Sequence, residues 1–316
     1  MPEVLIPDLP ASTDTAWVFP GQGAQQVGMG RDLYEQVPAA RAVFDAADEA
    51  LGFPLSELCF EGPEEELTRT VNTQPALVTH GIASLVAAIH CGSIRERAAL
   101  LAGHSLGEYA ALIAAGALSF ADGIRLVRER GRLMQEACDA HPGTMAVVLG
   151  LQREQVAALC AEHGASLCNE NAPGNISIGG TAEAVQATGE AATAAGAVRV
   201  LPLNVAGAFH TPLMQTAAEG MRAVLAAAPF TAPRMPVVSN VTAQAMTSAG
   251  EFAGELADQV TSPVLWVDDV RTMLGAGVTS FIEFGPGKVL TGALKRTEPS
   301  ATLRNVGTAA EAQQAG

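Results

Sequence analysis

The sequence predicts an α/β fold in which a large domain on a parallel sheet carries a small inserted α+β subdomain of ferredoxin-like kind. Three observations predict it. Five residues, Gly103-His104-Ser105-Leu106-Gly107, lie between the apolar run Ala98-Ala99-Leu100-Leu101-Ala102 and the alanine-rich stretch Glu108-Tyr109-Ala110-Ala111-Leu112-Ile113-Ala114-Ala115. An apolar run, Gly-x-Ser-x-Gly and a helical stretch read as strand, tight turn and helix, the arrangement called a nucleophile elbow. From residue 144 to 203 the pattern changes to short strands alternating with amphipathic helices, the order of a ferredoxin-like unit. The composition agrees, because 48% of the 316 residues are hydrophobic but only 4% aromatic. Small aliphatic side chains suit helices packed closely on a sheet.

The elements follow in order. Residues 1–14, rich in Pro, Asp, Ser and Thr, read as a loose leader. Residues 16–19 form the first strand, and Pro20-Gly21-Gln22-Gly23-Ala24-Gln25 breaks it at once. The spacing of that loop fits neither a P-loop nor GxGxxG, so its chemistry lies in its backbone amides and in Gln22. Pro63-Glu64-Glu65-Glu66-Leu67 opens a helix with acid at its positive end, and Thr73-Gln74-Pro75-Ala76 leads into a core helix ending near His90. After the elbow, Ser119-Phe120-Ala121-Asp122 caps a helix running to about Ala137. His141-Pro142-Gly143 marks a boundary. Residues 141–204 make the small subdomain: a strand at 145–149, a helix at 153–163, a strand near 176–178, a helix at 182–195 and a strand at 198–203. The large domain comprises 15–140 and 205–300, the second part with strands at 235–239 and 279–283, a Gly285-Pro286-Gly287 turn and a helix over 288–296. Residues 301–316 carry no clear pattern and are expected to fray.

The charge balance narrows the function. A net charge of −15 argues against nucleic acid and against anionic membrane surfaces as partners. Residues 76–88 come nearest to a membrane span but are too short, and His80 marks them as a core helix. Met1-Pro2-Glu3-Val4 lacks the basic start of a signal peptide, and five cysteines without CxxC spacing read as thiols of a reducing cytosol. A cytoplasmic protein without metal is expected.

The elbow supplies a candidate nucleophile. A serine on a sharp turn projects away from the backbone, and the next amide, that of Leu106, heads a helix where it can face a developing oxyanion. On the helix after Ser119, Arg125, Arg128 and Arg132 cluster on one side as ordinary solvated charges, whereas Arg130 falls among Leu126, Val127, Leu133 and Met134. A guanidinium on a core face needs a partner. Either it makes a structural ion pair or it receives a substrate carboxylate, which its fork geometry suits. The serine needs a base. Of six histidines, His80 and His90 lie on the apolar helix, His141 and His163 sit at a boundary and a helix end, and His104 is the serine's own neighbour. That leaves His210, where the chain re-enters the large domain.

Several separated motifs now coincide: Phe19-Pro20-Gly21-Gln22-Gly23-Ala24-Gln25, Thr73-Gln74-Pro75-Ala76-Leu77, Gly103-His104-Ser105-Leu106-Gly107-Glu108-Tyr109, Arg130-Gly131, Gly207-Ala208-Phe209-His210 and Phe284-Gly285-Pro286-Gly287-Lys288-Val289-Leu290. Over residues 15–297 the chain resembles the malonyl-CoA:acyl carrier protein transacylases, which include the fatty-acid enzyme and the acyltransferases of polyketide synthases. The resemblance implies a hydrolase-like large domain and a ping-pong acyl transfer from malonyl-CoA to the phosphopantetheine thiol of an acyl carrier protein. It implies Ser105 as nucleophile, His210 as general base, the amides of Gln22 and Leu106 as oxyanion hole, and Arg130 as receptor for the malonyl carboxylate. The backbone carbonyl of Gln259 then orients the histidine. Phe209 resembles the bulky residue of malonyl-selective members, while Gly207-Ala208 fits fatty-acid and polyketide members alike. No cofactor is implied beyond the CoA thioester and the carrier's own phosphopantetheine, and the chain is taken as a monomer. Carriers are acidic, so Arg153, Lys288, Lys295 and Arg296 are candidate docking residues. A serine thioester hydrolase, an acyltransferase for another acyl unit or carrier-bound donor, and a non-catalytic docking protein on the same fold remain as alternatives.

Overall fold

Two sheets organise the chain, which a computed structural model describes at residue 4 and at residues 6–314. In chain order the strands are β1 (Thr15–Phe19), β2 (Leu100–Gly103), β3 (Thr144–Leu149), β4 (Ser166–Ala172), β5 (Asn175–Gly180), β6 (Arg199–Pro202), β7 (Val237–Val238), β8 (Ala245–Met246), β9 (Ser280–Phe284) and β10 (Thr302–Val306). The helices that matter for the site are α1 (Thr70–His90), α2 (Gly107–Ala114), α3 (Phe120–Ala140), α4 (Arg153–His163), α5 (Ala182–Ala194), α6 (Ala249–Asp258), α7 (Trp266–Gly275), α8 (Val289–Thr297) and α9 (Ala309–Gln313).

The larger sheet has the order β10–β9–β1–β2–β7–β8, parallel except for the last pair. Alternation along β1 sends Trp17 and Phe19 into the core beneath α1, α2 and α3, and Ala16 and Val18 into a second core against α7 and α8. Both faces are covered, which is why β1 and β2 read as continuous apolar runs. The smaller sheet, β4–β5–β3–β6, is antiparallel and packs α4 and α5 on one face through Val148, Val156, Ile176, Ile178 and Val185.

The structure corrects the sequence reading in four places. Residues 302–306 do not fray: they add parallel edge strand β10 to β9, and α9 follows, its first turn held by Asp32 accepting the Ala309 N–H at 2.6 Å. The tail lacked a pattern because an edge strand and a five-residue helix are too short to display one; residues 315 and 316 lie outside the description. The leader is tied down as well. Arg97 N donates to Pro10 O and Ser12 N to Arg97 O, each at 2.8 Å, and Arg234 Nη1 donates to Ile6 O at 2.9 Å; residues 1–3 and 5 are outside the description. The small subdomain contains a strand, β4, that the sequence hid. Its alternating Asn169 and Asn171 are only half-buried, so no apolar run announces it. Finally, Arg128 is not a free surface charge. Pro75 sits inside α1 and has no N–H for the carbonyl of Val71, and Arg128 Nη1 donates to that carbonyl at 2.9 Å. The Arg128 side chain also bonds Asn72 and lies 4.7 Å from the Phe53 ring centre.

Candidate active site

The elbow is forced by close approach. A β-carbon on Gly103 would stand 1.9 Å from the Gly107 carbonyl carbon, and one on Gly107 would stand 2.2 Å from the Phe19 oxygen. Strand β2 and helix α2 therefore meet through two residues without side chains, and Ser105 between them takes φ +54°. Non-glycine residues rarely adopt this left-handed conformation. The amides of Gly107, Glu108 and Tyr109 turn back onto the carbonyls of His104, Ser105 and Leu106, leaving Leu106 at the helix head facing the cavity. Ser105, Leu106, Gln22, Arg130, Phe209 and His210 all line that one cavity.

Ser105 Oγ lies 2.8 Å from His210 Nε2. On the far side of the ring, Nδ1 lies 2.9 Å from the backbone carbonyl of Gln259. A carbonyl only accepts, so Nδ1 carries the proton and Nε2 offers its lone pair to the serine hydroxyl. His210 itself has φ +60° and is 4% exposed. Burial, and then the neighbouring Arg130 cation, push its pKa down to about 3, so the resting ring is neutral.

Arg130 reaches the same oxygen. Its Nη2 donates to Ser105 Oγ at 3.0 Å and to Gln259 Oε1 at 2.9 Å, while Nη1 donates to Gln74 Oε1 at 2.9 Å. The Tyr109 ring centre lies 5.9 Å from the guanidinium carbon. The side chain is 1% exposed, and among the described residues no carboxylate pairs with it and its Nε has no acceptor. Burial lowers its pKa from the usual arginine value. The wheel reading left a structural ion pair open; the structure holds Arg130 by neutral amide oxygens instead.

The remaining residues sort by distance. His104 lines the same cavity, but its Nε2 is engaged by Asn171 Oδ1 on β4 at 3.0 Å, and burial lowers its pKa to about 4. His80 is buried on α1 beside Ser84, and His80, His90, His141 and His163 do not line the cavity. Of the expected docking residues, Arg153 is already committed to Glu170 at 3.0 Å and to Asp268. Lys288, Lys295 and Arg296 stand exposed at the two ends of α8. The sequence reading gave no role to Gln74, Glu108 or Asn240, all three buried beside the elbow. Gln74 and Glu108 stand inside motifs already quoted. Asn240 carried no signal beyond closing a strand.

The acyl transferase domain family model matches residues 16–315. The malonyl CoA-acyl carrier protein transacylase of Bacillus subtilis is 48% identical over 286 residues, 89% of each chain. The chain belongs to the malonyl-CoA:acyl carrier protein transacylase family. Solved transacylase-family structures superpose closely. An acyl carrier protein S-malonyltransferase from Vibrio cholerae gives a TM-score of 0.91 at 42% identity, covering 94% of this chain and 98% of the other. A malonyl-transacylase in complex with its type II PKS acyl-carrier protein gives 0.90 at 40% identity, covering 95% and 97%. The transacylase-family fold thus accounts for both sheets of this chain, the hydrolase-like one and the inserted one.

Proposed function

We propose that this chain moves a malonyl group from CoA to the phosphopantetheine thiol of an acyl carrier protein through a malonyl-Ser105 ester. The observation that carries the reading is the convergence of a neutral imidazole and a buried, carboxylate-free guanidinium on one serine oxygen, 2.8 and 3.0 Å away.

His210 Nε2 takes the Ser105 proton as Oγ attacks the thioester carbon. The oxyanion of the tetrahedral intermediate rests on the amides of Gln22 and Leu106, each such donor being worth about 3 kcal/mol of barrier. The carbon–sulfur bond breaks, His210 returns the proton to the departing CoA thiolate, and the ester remains. In the second half His210 takes the proton of the carrier thiol, sulfur attacks the ester, and Ser105 recovers its hydrogen. Gln259 O holds the imidazole in the required tautomer throughout. Arg130 receives the distal carboxylate: its Nε has no acceptor, and the Nη2 hydrogen now given to Ser105 Oγ is released when that oxygen is acylated, which leaves two donors on one edge. Acetyl would leave that buried cation without a counter-charge. Phe209 in the cavity wall restricts α-branching.

Every step uses protein groups and the two thiols, so no cofactor is required. Among the described residues no helix is long and apolar enough to cross a membrane, and the five free cysteines support a cytoplasmic setting. Lys288, Lys295 and Arg296 are proposed to meet the acidic carrier. Whether that carrier serves fatty-acid or polyketide synthesis is a second question, opened by the likeness to a transacylase held on a type II PKS carrier.

Mass spectrometry of the intact protein after malonyl-CoA tests the reading. One malonyl adduct mapped to Ser105, discharged by a holo-carrier and missing in Ser105→Ala, is the expected result. Rapid hydrolysis without a carrier would make the chain a thioesterase, and no adduct would discard the mechanism.

A further inference from the structure

Beneath the elbow lies a polar side chain that the reaction does not touch. Asn240 follows β7 and is fully buried. Its Oδ1 accepts the backbone N–H of Ser105 at 2.7 Å, and its Nδ2 donates to the carbonyl of Gly103 at 2.8 Å. The two bonds grip the turn on either side of His104. The second Nδ2 hydrogen goes to Asp269 Oδ2 at 2.9 Å, and Gln259 Nε2 approaches Oδ1 at 3.3 Å. The backbone of Asn240 is itself pinned, its N–H facing Glu108 Oε2 at 3.3 Å and its carbonyl accepting from Leu265 at 2.9 Å.

The chemistry of the partners dictates an amide here. A backbone N–H only donates and a carbonyl only accepts, so a flipped amide would set donor against donor and oxygen against oxygen. A carboxylate would keep the bond from Ser105 but lose both donations and stand against Asp269. Each hydrogen-bonding site of this side chain is therefore used, and only asparagine has that set at that length.

The turn needs such a clip. Ser105 has φ +54°, and a residue stays in this region only when its surroundings over-determine it. Relaxation to negative φ would swing the β-carbon and carry Oγ away from His210 Nε2, where misplacement by about 1 Å costs on the order of 100-fold in rate. We infer that Asn240 is a positioning residue: it locks Ser105 in the left-handed turn that aims its hydroxyl at the base. Gln259 also braces the turn, donating from Nε2 to the Ser105 carbonyl at 3.1 Å, but it touches Arg130 and His210 too. Asn240 bonds neither of those side chains, so its effect is separable.

This inference rests on Ser105 being the acylated residue, and the test keeps the two apart. The full-length chain and its Asn240→Ala and Asn240→Asp variants are followed by rapid-quench single-turnover acylation with malonyl-CoA, and the amide of Ser105 in the unaltered chain by hydrogen–deuterium exchange. We expect acylation about 100-fold slower in Asn240→Ala, with a smaller loss in Asn240→Asp, which retains the acceptor for Ser105. The pH profile and the malonyl-to-acetyl preference should match the unaltered chain, because His210 and Arg130 are not disturbed. Slow exchange of the Ser105 amide, beside an open cavity, is expected in the unaltered chain. A folded Asn240→Ala that acylates within about threefold of the unaltered rate overturns the inference, since a merely structural role lowers melting temperature and leaves the rate per folded molecule intact. Should neither variant fold, rapid exchange at Ser105 overturns it and protection upholds it. Absence of a Ser105 adduct in the unaltered chain would instead sink the functional reading.

Discussion

Helix α3 turns the same side chain toward two solvents. On its outer face Arg132 is 45% exposed and pairs with Glu129 at 2.6 Å and with Glu136 one turn on. Two residues earlier, on the inner face, Arg130 is 1% exposed and meets amide oxygens, a hydroxyl and an aromatic ring. The acids hold the pKa of Arg132 up, whereas burial pushes that of Arg130 down. The outer cluster is electrically complete and, in water, its pairs contribute about 0.3–0.5 kcal/mol each. The inner site gives acceptors to both terminal nitrogens but, among the described residues, leaves Nε without one and supplies no negative charge, a state that costs several kcal/mol in a protein interior. The acids whose charge reaches it, Glu108 and Glu255, make no bond to it; burial raises the pKa of both, and the charge of Glu255 raises that of Glu108 further. A bound dicarboxylic acyl group would supply the missing charge, which is the physical basis of the selectivity proposed here.

The largest expected effect breaks the inner side of this comparison. Arg130→Ala should lower kcat/KM for malonyl-CoA by ~1,000-fold or more and collapse its preference over acetyl-CoA. Competitive loading assays read this directly, and a preserved malonyl-to-acetyl ratio would rule out the carboxylate role.

A second experiment sharpens it. The protonated ring of His210 cannot accept from serine, and its pKa in the free protein is near 3. The rate of acylation at low malonyl-CoA should therefore stay flat from pH 7.5 down to about 5, where an unperturbed histidine would already have lost most of its activity. Arg130 is one cause of that depression, so Arg130→Ala should move the acid limb toward higher pH. An acid limb near pH 6.5 in the unaltered chain would contradict the buried geometry.

The smallest effect belongs to the outer face. Arg132→Ala should leave acylation unchanged and shift the melting temperature by only about 1–3 °C, the equivalent of about 0.6–1 kcal/mol for its two pairs. A loss of activity there would mean that the two faces are coupled.

The contrast between these arginines could be read from spacing alone, because a helical wheel separates residue 130 from residue 132. So could the elbow, whose glycines and apolar flanks are contiguous. The partners of Arg130 could not. Gln74 was visible as part of a motif but without a role, and the carboxylate partner that a buried arginine suggests is absent among the described residues. Strand β4 stayed hidden because Asn169, which lines the cavity, and Asn171, which bonds His104, alternate where a usual strand would show apolar residues. Strand β10 was missed because an edge strand of five residues is carried by its neighbour β9 rather than by its own pattern.

The sequence by itself determined the local conformations that depend on residues a few positions apart: a serine on a glycine-flanked turn, a cation on an apolar stripe, strands and helices in their order. Only the tertiary structure decided which groups meet at the serine. The His210 ring, the Gln259 carbonyl, the Gln74 and Gln259 amides and the Asn240 clip come from separate segments. Hydrogen bonds of this kind act over about 3 Å, a distance that chain spacing does not encode and that packing on both faces of the parallel sheet sets.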